Sequence, residues 1–185
     1  MSELEFKPFP KIPRLSREII ITEKIDGTNA QIYITEDMQM FTGSRNRWIT
    51  PMDDNYSFSA WALMNRDELL KLGPGQHFGE WYGSGIQHSY GLKEKRFALF
   101  NASRWTNERP VCCDVVPILY RGMFSETAIN QALESLKAEG SRMVPGWMRP
   151  EGIIVFHVAA NMGFKKTILK DEEYKGKTNN PDSER

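Results

Sequence analysis

The sequence predicts an α+β domain built on antiparallel sheet, and three observations carry that prediction. Short β-branched or alternating runs, each closed by turn residues, recur along most of the chain. Only two segments carry helical periodicity with start and stop signals. Strands therefore dominate over helices, and no internal repeat suggests a solenoid or propeller.

Glu18 to Lys24 (EIIITEK) is the first run and ends at an Asp26-Gly27 turn. Ala30 to Thr35 (AQIYIT) alternates after that turn, and Glu36-Asp37 closes it. Further strands are expected over Met38 to Thr42, Gln76 to Trp81, Arg96 to Asn101, Val111 to Leu119 and Gly152 to Val158. One helix is predicted from Ser57 to Leu72, with Phe58, Trp61, Ala62, Leu69 and Leu72 apolar and Gly73 as the stop. A second runs from Glu126 to Glu139, with Ser125 as N-cap, a stripe of Ile129, Ala132, Leu133 and Leu136, and Gly140 at the end. From Lys170 the chain is polar and aperiodic. The expected organisation is a domain over 1–169 and a flexible tail over 170–185.

The 185 residues suit one domain, and a hydrophobic share of 40% supports a core. Lys plus Arg and Asp plus Glu each total 24, which argues against a general nucleic-acid coat. Cys112 and Cys113 are adjacent, so no disulfide framework exists and a reducing, cytoplasmic setting is expected. No apolar run approaches the ~20 residues of a membrane helix, and no leader pattern opens the chain. No membrane association and no obligate protein partner are expected.

The chemistry gathers at Glu23-Lys24-Ile25-Asp26-Gly27-Thr28-Asn29, directly after an apolar strand. A lysine at the end of a buried strand is held rigidly and partly desolvated. Desolvation and neighbouring cations favour the neutral amine, the only form that attacks phosphorus. Taken alone, Lys-x-Asp-Gly is more often a hairpin turn beside a surface lysine. Five further segments follow in order: Thr42-Gly43-Ser44-Arg45; Phe78 to Gln87 (FGEWYGSGIQ); Phe97 to Asn101 (FALFN); Glu151 to Val155 (EGIIV); and Gly163 to Thr167 (GFKKT).

In that order and spacing the six segments resemble the ATP-dependent RNA ligases of the phage RNA ligase 2 and RNA-editing ligase type. These belong to the superfamily of covalent nucleotidyltransferases. The resemblance implies an antiparallel-sheet nucleotidyltransferase (adenylylation) domain of the ATP-grasp-like ligase type, with Lys24 as nucleophile. It implies that Lys24 takes AMP from ATP with Mg²⁺ or Mn²⁺ present. AMP then passes to an RNA 5′-phosphate, and a 3′-hydroxyl displaces it, sealing the strand as in RNA repair. A DNA ligase, a GTP-dependent capping transferase, and a non-catalytic RNA-end or nucleotide-binding module are the alternatives. The Gly83-Ser84-Gly85-Ile86-Gln87 segment resembles the RNA ligase branch.

The residues suit those roles chemically. A triphosphate needs cations, and Arg45, Lys165 and Lys166 supply them. Glu80 can accept from ribose hydroxyls, Phe100 offers an aromatic face to adenine, and Asn29 can orient phosphates or the RNA end. Glu23 and Ile25 flank the nucleophile and fall within the expected nucleotide-binding set. Glu151 can ligate magnesium, which keeps most of its waters. Each residue also has an ordinary reading as core, turn or solvated edge. Two positions depart from the family pattern. Asn101 stands where an aspartate commonly follows the aromatic, and the last motif reads Lys165-Lys166-Thr167. In a strand those lysines point to opposite faces, and Lys165 is favoured. The chain ends soon after that motif, which predicts no appended C-terminal domain. Trp48, beside Arg45 and Arg47, could stack on a base. His88 could contact phosphate, and Arg14, Arg17, Lys93, Lys95, Arg96 and Arg104 could line an RNA track.

Overall fold

The structure is a computed structural model and describes residues 5–105 and 108–169. The chain begins its ordered path with β1 (Glu18–Lys24), β2 (Thr28–Ile34), β3 (Met40–Ser44) and β4 (Trp48–Ile49). Helices α1 (Phe58–Met64) and α2 (Arg66–Leu69) follow, then β5 (Gly75–Gly83), β6 (Lys95–Leu99), β7 (Cys113–Val115) and β8 (Ile118–Met123). Helix α3 (Glu126–Glu139) precedes β9 (Gly152–His157) and β10 (Met162–Thr167).

The strands form two sheets. One has four strands in the order β10-β9-β1-β8, the other six in the order β4-β3-β2-β5-β6-β7. Pairing is antiparallel except between β6 and β7, where Phe97 lies beside Cys113 in a short parallel match. The helices cover opposite outer faces. Helix α3 packs Leu133 and Leu136 against Ile19, Ile21, Ile153 and Val155 of the four-stranded sheet. Helices α1 and α2 set Phe58 and Leu69 against Ile32, Ile34, Trp81 and Phe97 of the six-stranded sheet. Each such side chain, fully buried, stabilises the fold by about 1.5–3 kcal/mol. A third cluster of Ile25, Tyr82, Tyr90, Ala98 and Val116 gathers where the chain passes between sheets.

The predicted α+β class stands, and so does the second helix. Ser125 accepts from the Ala128 N–H at 3.2 Å, and Gly140 stops the helix at φ 82°. Ile129 is only partly buried against that cluster. The first helix differs from expectation. It is broken at Asn65, whose φ of −106° leaves the helical range and whose Nδ2 donates to the Trp61 carbonyl at 2.9 Å. Its N-terminal amides are capped by Asp54, which accepts from Ser59 and Ala60 at 2.8 and 2.9 Å. The run from Val111 to Leu119 divides around Pro117 into β7 and β8, which lie in different sheets. Strands β4 and β10 were not among the expected strands. Above all, β1 and β2 do not pair as a hairpin: Ile25 to Gly27 carries the chain from one sheet to the other. The 170–185 segment lies outside the described residues. Among the described residues no helix is long and apolar enough to cross a membrane, and the Cys112 and Cys113 thiols are free.

Candidate active site

The alternation of β1 sorts its side chains onto two faces. Ile19, Ile21 and Glu23 point toward α3, while Thr22 and Lys24 point to the opposite face. Lys24 therefore ends a fully packed strand and faces the second sheet across the crossing. Its Nζ donates to Glu151 Oε2 at 2.5 Å. Glu151 stands immediately before β9, where Gly152 lies across from Lys24. Gly152 has φ 155°, and a Cβ there would fall 2.2 Å from the Lys166 carbonyl oxygen, so the close pass of β10 requires glycine.

Across from Lys24 lies the face of the six-stranded sheet turned away from α1 and α2, covered where Tyr82 and Ala98 pack against Ile25 and open further out. Asn29 and Glu80 are neighbours in register, and Asn29 Nδ2 donates to Glu80 Oε2 at 3.1 Å. Burial pushes Glu80 up to about 7, a rise that Lys24 opposes and Glu151 reinforces. Gly27 holds this wall close to Lys24. A Cβ on Gly27 would sit 2.4 Å from the Trp81 carbonyl oxygen and 2.9 Å from Glu80 Cγ. Close approach of the backbone, more than turn geometry, is what Gly27 supplies.

Several expected residues do not come together as supposed. The groups shown beside the Lys24 amine are the carboxylates of Glu151, which it bonds, and Glu80, on which its charge acts. Arg45 is exposed in the bend after β3. Lys165 lies on the face of Lys24, because Lys165, Ile154 and Thr22 form one cross-strand row. Two strand spacings and two residues along β1 separate its backbone from that of Lys24 by about 12 Å. Lys166 shares the row of Ile153 and Glu23, on the opposite face. The Glu23 side chain is turned away from the cleft and only 1% exposed. It accepts from Ser141 Oγ at 2.6 Å and from the Arg142 and Met143 amides at 2.8 and 2.9 Å. Burial raises its pKa while those bonds resist the rise. Ile25 is buried in the inter-sheet cluster. Phe100 is half-exposed, and its N–H donates to the Phe78 carbonyl, which sets it on the face of Glu80. Arg104 instead stacks over Trp105 and donates to the Leu72 carbonyl, away from the cleft.

Tyr90 was missed in the sequence, and His88, expected as a possible phosphate contact, bonds within the protein instead. The Tyr90 hydroxyl accepts from the Asp26 N–H at 2.8 Å across 64 residues, and the His88 ring contacts the Asp26 carboxylate. The loop bearing them is wound through left-handed backbone at Gln87, Ser89 and Tyr90. It clamps the segment next to Lys24, and no spacing in the sequence signals it. Among the described residues no cluster of three His, Cys, Asp or Glu side chains could cage a metal. The hard oxygens of Glu151 and Glu80 suit a cation that keeps its waters and borrows phosphate ligands. A groove of about 440 Å³ lies elsewhere, between β8 and α3, lined by Ile118, Tyr120 and Gln131.

Lys24, at the crossing between the two sheets and bonded to Glu151 with Glu80 nearby, is the candidate catalytic centre that the geometry points to. The family model described as RNA ligase matches residues 17–170, and the chain belongs to that family. Solved structures of similar fold include three of the Naegleria gruberi RNA ligase. The enzyme with pyrophosphate is 21% identical with a TM-score of 0.58, over 82% of this chain and 50% of that one. A mutant with ATP and Mn is 20% identical with a TM-score of 0.58, over 82% and 49%. A mutant with AMP and Mn is 20% identical with a TM-score of 0.58, over 83% and 50%. The chain thus spans about half the length of the solved structures it matches. No curated protein matches it.

Proposed function

We propose that the chain is the adenylylation domain of an ATP-dependent RNA ligase. The observation that carries this reading is the placing of Lys24. It ends a rigid buried strand, is oriented by Glu151, and faces Glu80 and Asn29 on the sheet face that also bears Phe100. The neutral Lys24 amine attacks the α-phosphorus of ATP, forming an N–P bond as the bond to pyrophosphate breaks. Glu80 accepts from the ribose, Phe100 stacks on adenine, and Arg45 and Lys165 draw the phosphates into line. An RNA 5′-phosphate oxygen then attacks the lysyl-AMP phosphorus and releases Lys24. A 3′-hydroxyl attacks the activated 5′-phosphorus, and AMP leaves. Mg²⁺ or Mn²⁺ would be held by Glu151 with waters and phosphate oxygens, and would neutralise phosphate charge. A reducing cytoplasm is the proposed setting, supported by the free adjacent thiols.

The test is incubation with α-labelled ATP and, in parallel, α-labelled GTP. Label from ATP is expected on Lys24 and is expected to vanish in Lys24→Ala, with the melting temperature preserved. Label retained by Lys24→Ala would place the nucleophile elsewhere. Preferential labelling by GTP would turn the assignment toward a capping transferase.

A further inference from the structure

We infer that the open part of this face of the six-stranded sheet is a stacking platform for unpaired RNA bases, centred on Tyr33, Phe41 and Trp48. The inference deepens the proposed function and rests on reading the cleft as an RNA-ligase site. Register alone brings the surface together. Trp48, Gly43, Gln31 and Phe78 lie side by side on β4, β3, β2 and β5, and Phe100 continues the row through its amide bond to Phe78. Tyr33, Phe41 and Gln76 form the adjacent row on the same face. Four strand spacings make the long row about 19 Å.

Three features point to bases as the occupant. The first is exposure. These five rings range from 37% exposed at Tyr33 to 56% at Trp48, whereas Ile32, Trp81 and Phe97 on the other face are buried. Single exposed apolar residues are ordinary, but a contiguous set marks an interaction surface. The second is ring geometry. Tyr33, Phe41 and Trp48 stand 6.1–6.5 Å apart, tilted by 37–59°. At these distances the rings pack edge to face into one cluster, and their exposure leaves the outer faces open to a planar ligand. The third is continuity and polarity. The row starts at the Phe100 end, beside Glu80, and runs outward without leaving the sheet face. The Gln31 and Gln76 amides, bonded to each other, sit between its two aromatic groups and offer donors and acceptors to base edges. Arg45 stands exposed at the rim in the bend just before Trp48. Aromatic faces beside cations and amides are the chemistry that holds single-stranded nucleic acid. A strand whose end lies at Lys24 would continue along this row.

The experiment measures binding of a 5′-phosphorylated single-stranded RNA and of a blunt RNA duplex to the full chain. Trp48→Ala and Phe41→Ala are compared with Trp48→Phe, and melting curves check the fold. Single strands are expected to bind more tightly than duplex. Each alanine variant should raise the single-strand Kd by on the order of five- to a hundredfold, and Trp48→Phe should restore most of the affinity. RNA carrying a photoreactive uridine should crosslink within residues 31–48. Unchanged single-strand affinity in both alanine variants, equal losses for duplex, absence of RNA binding, or self-association through this face in sedimentation would each overturn the platform. Self-labelling with ATP is followed separately on the unaltered chain. A chain that labels but shows no platform-dependent binding loses only this inference. A chain that binds through the platform but never labels loses the ligase reading.

Discussion

Glu23 and Glu80 are both buried carboxylates, raised by desolvation, on two sheets that meet at Lys24. Their surroundings differ in kind. Glu23 has a hydroxyl and two amides aimed at it from one loop, so its oxygens are saturated by the protein. Glu80 has one side-chain amide, from Asn29, and otherwise relies on the field of Lys24 and the Gly27 N–H. The first carboxylate fastens Ser141 to Met143 against β1. The second is held in a costly state with bonding capacity left over. A buried acid whose partners are incomplete is a better sign of a ligand site than burial or a shifted pKa alone.

Removing the saturated acid is the harshest way to probe this contrast. Glu23→Ala strands two amides and a hydroxyl in the interior. The expected cost is about 3–5 kcal/mol, seen as a fall in melting temperature of roughly 10 °C for a chain of this size. A fall of only a degree or two would mean that water replaces the carboxylate, and the contrast with Glu80 would collapse.

Glu80→Gln should act in the opposite direction. The folded-state value near 7 exceeds the ordinary 4.5, so the fold keeps a proton that the unfolded chain releases. That contribution is present below pH 4.5 and is lost as pH rises through about 7. The glutamine variant should therefore be more stable than the unaltered chain at pH 8, by about 3 kcal/mol at most. The advantage should shrink toward acid, as read by denaturant titrations across pH. Glu23 titrates in the same direction, so the difference between the two proteins, not either curve, isolates Glu80. Self-adenylylation by Glu80→Gln should meanwhile fall by on the order of tenfold or more, through loss of one charged acceptor. A variant less stable at pH 8 would show that Glu80 is, like Glu23, a structural acid.

The mildest change concerns the ring beside Glu80. Phe100→Ala should weaken ATP use more than Phe100→Tyr or Phe100→Leu, by about 0.5–1.5 kcal/mol. Because the ring is half-exposed, melting temperatures should barely move. A large loss of stability with no change in the KM for ATP would make Phe100 an ordinary core residue.

Much of this was legible in the sequence where the signal is local. The run EIIITEK marks β1 to the residue, and Ser125 and Gly140 mark both ends of α3 through cap chemistry confined to a few neighbours. What was hidden depends on distant partners. Nothing within Glu23-Lys24 says that one side chain meets a loop 118 residues away and the next meets Glu151. Nor does an Asp-Gly pair announce that two consecutive strands enter different sheets. Motif order brought Lys24, Glu80 and Glu151 to notice, but it could not separate Lys165 from Lys166 by more than alternation. The register through Ile153 and Ile154 was needed for that.

The contact between Lys24 and Glu151 closes 127 residues of chain. During synthesis at about 5–20 residues per second, the amine waits roughly 6–25 s before its carboxylate partner is even made. Strand β1 waits as long for β9, its neighbour in the sheet. A nascent chain thus carries Lys24 early and without surroundings. It cannot hold the lysine in place until the ribosome has passed the β9 codons, so the Lys24–Glu151 pair forms together with the last central strand of the four-stranded sheet.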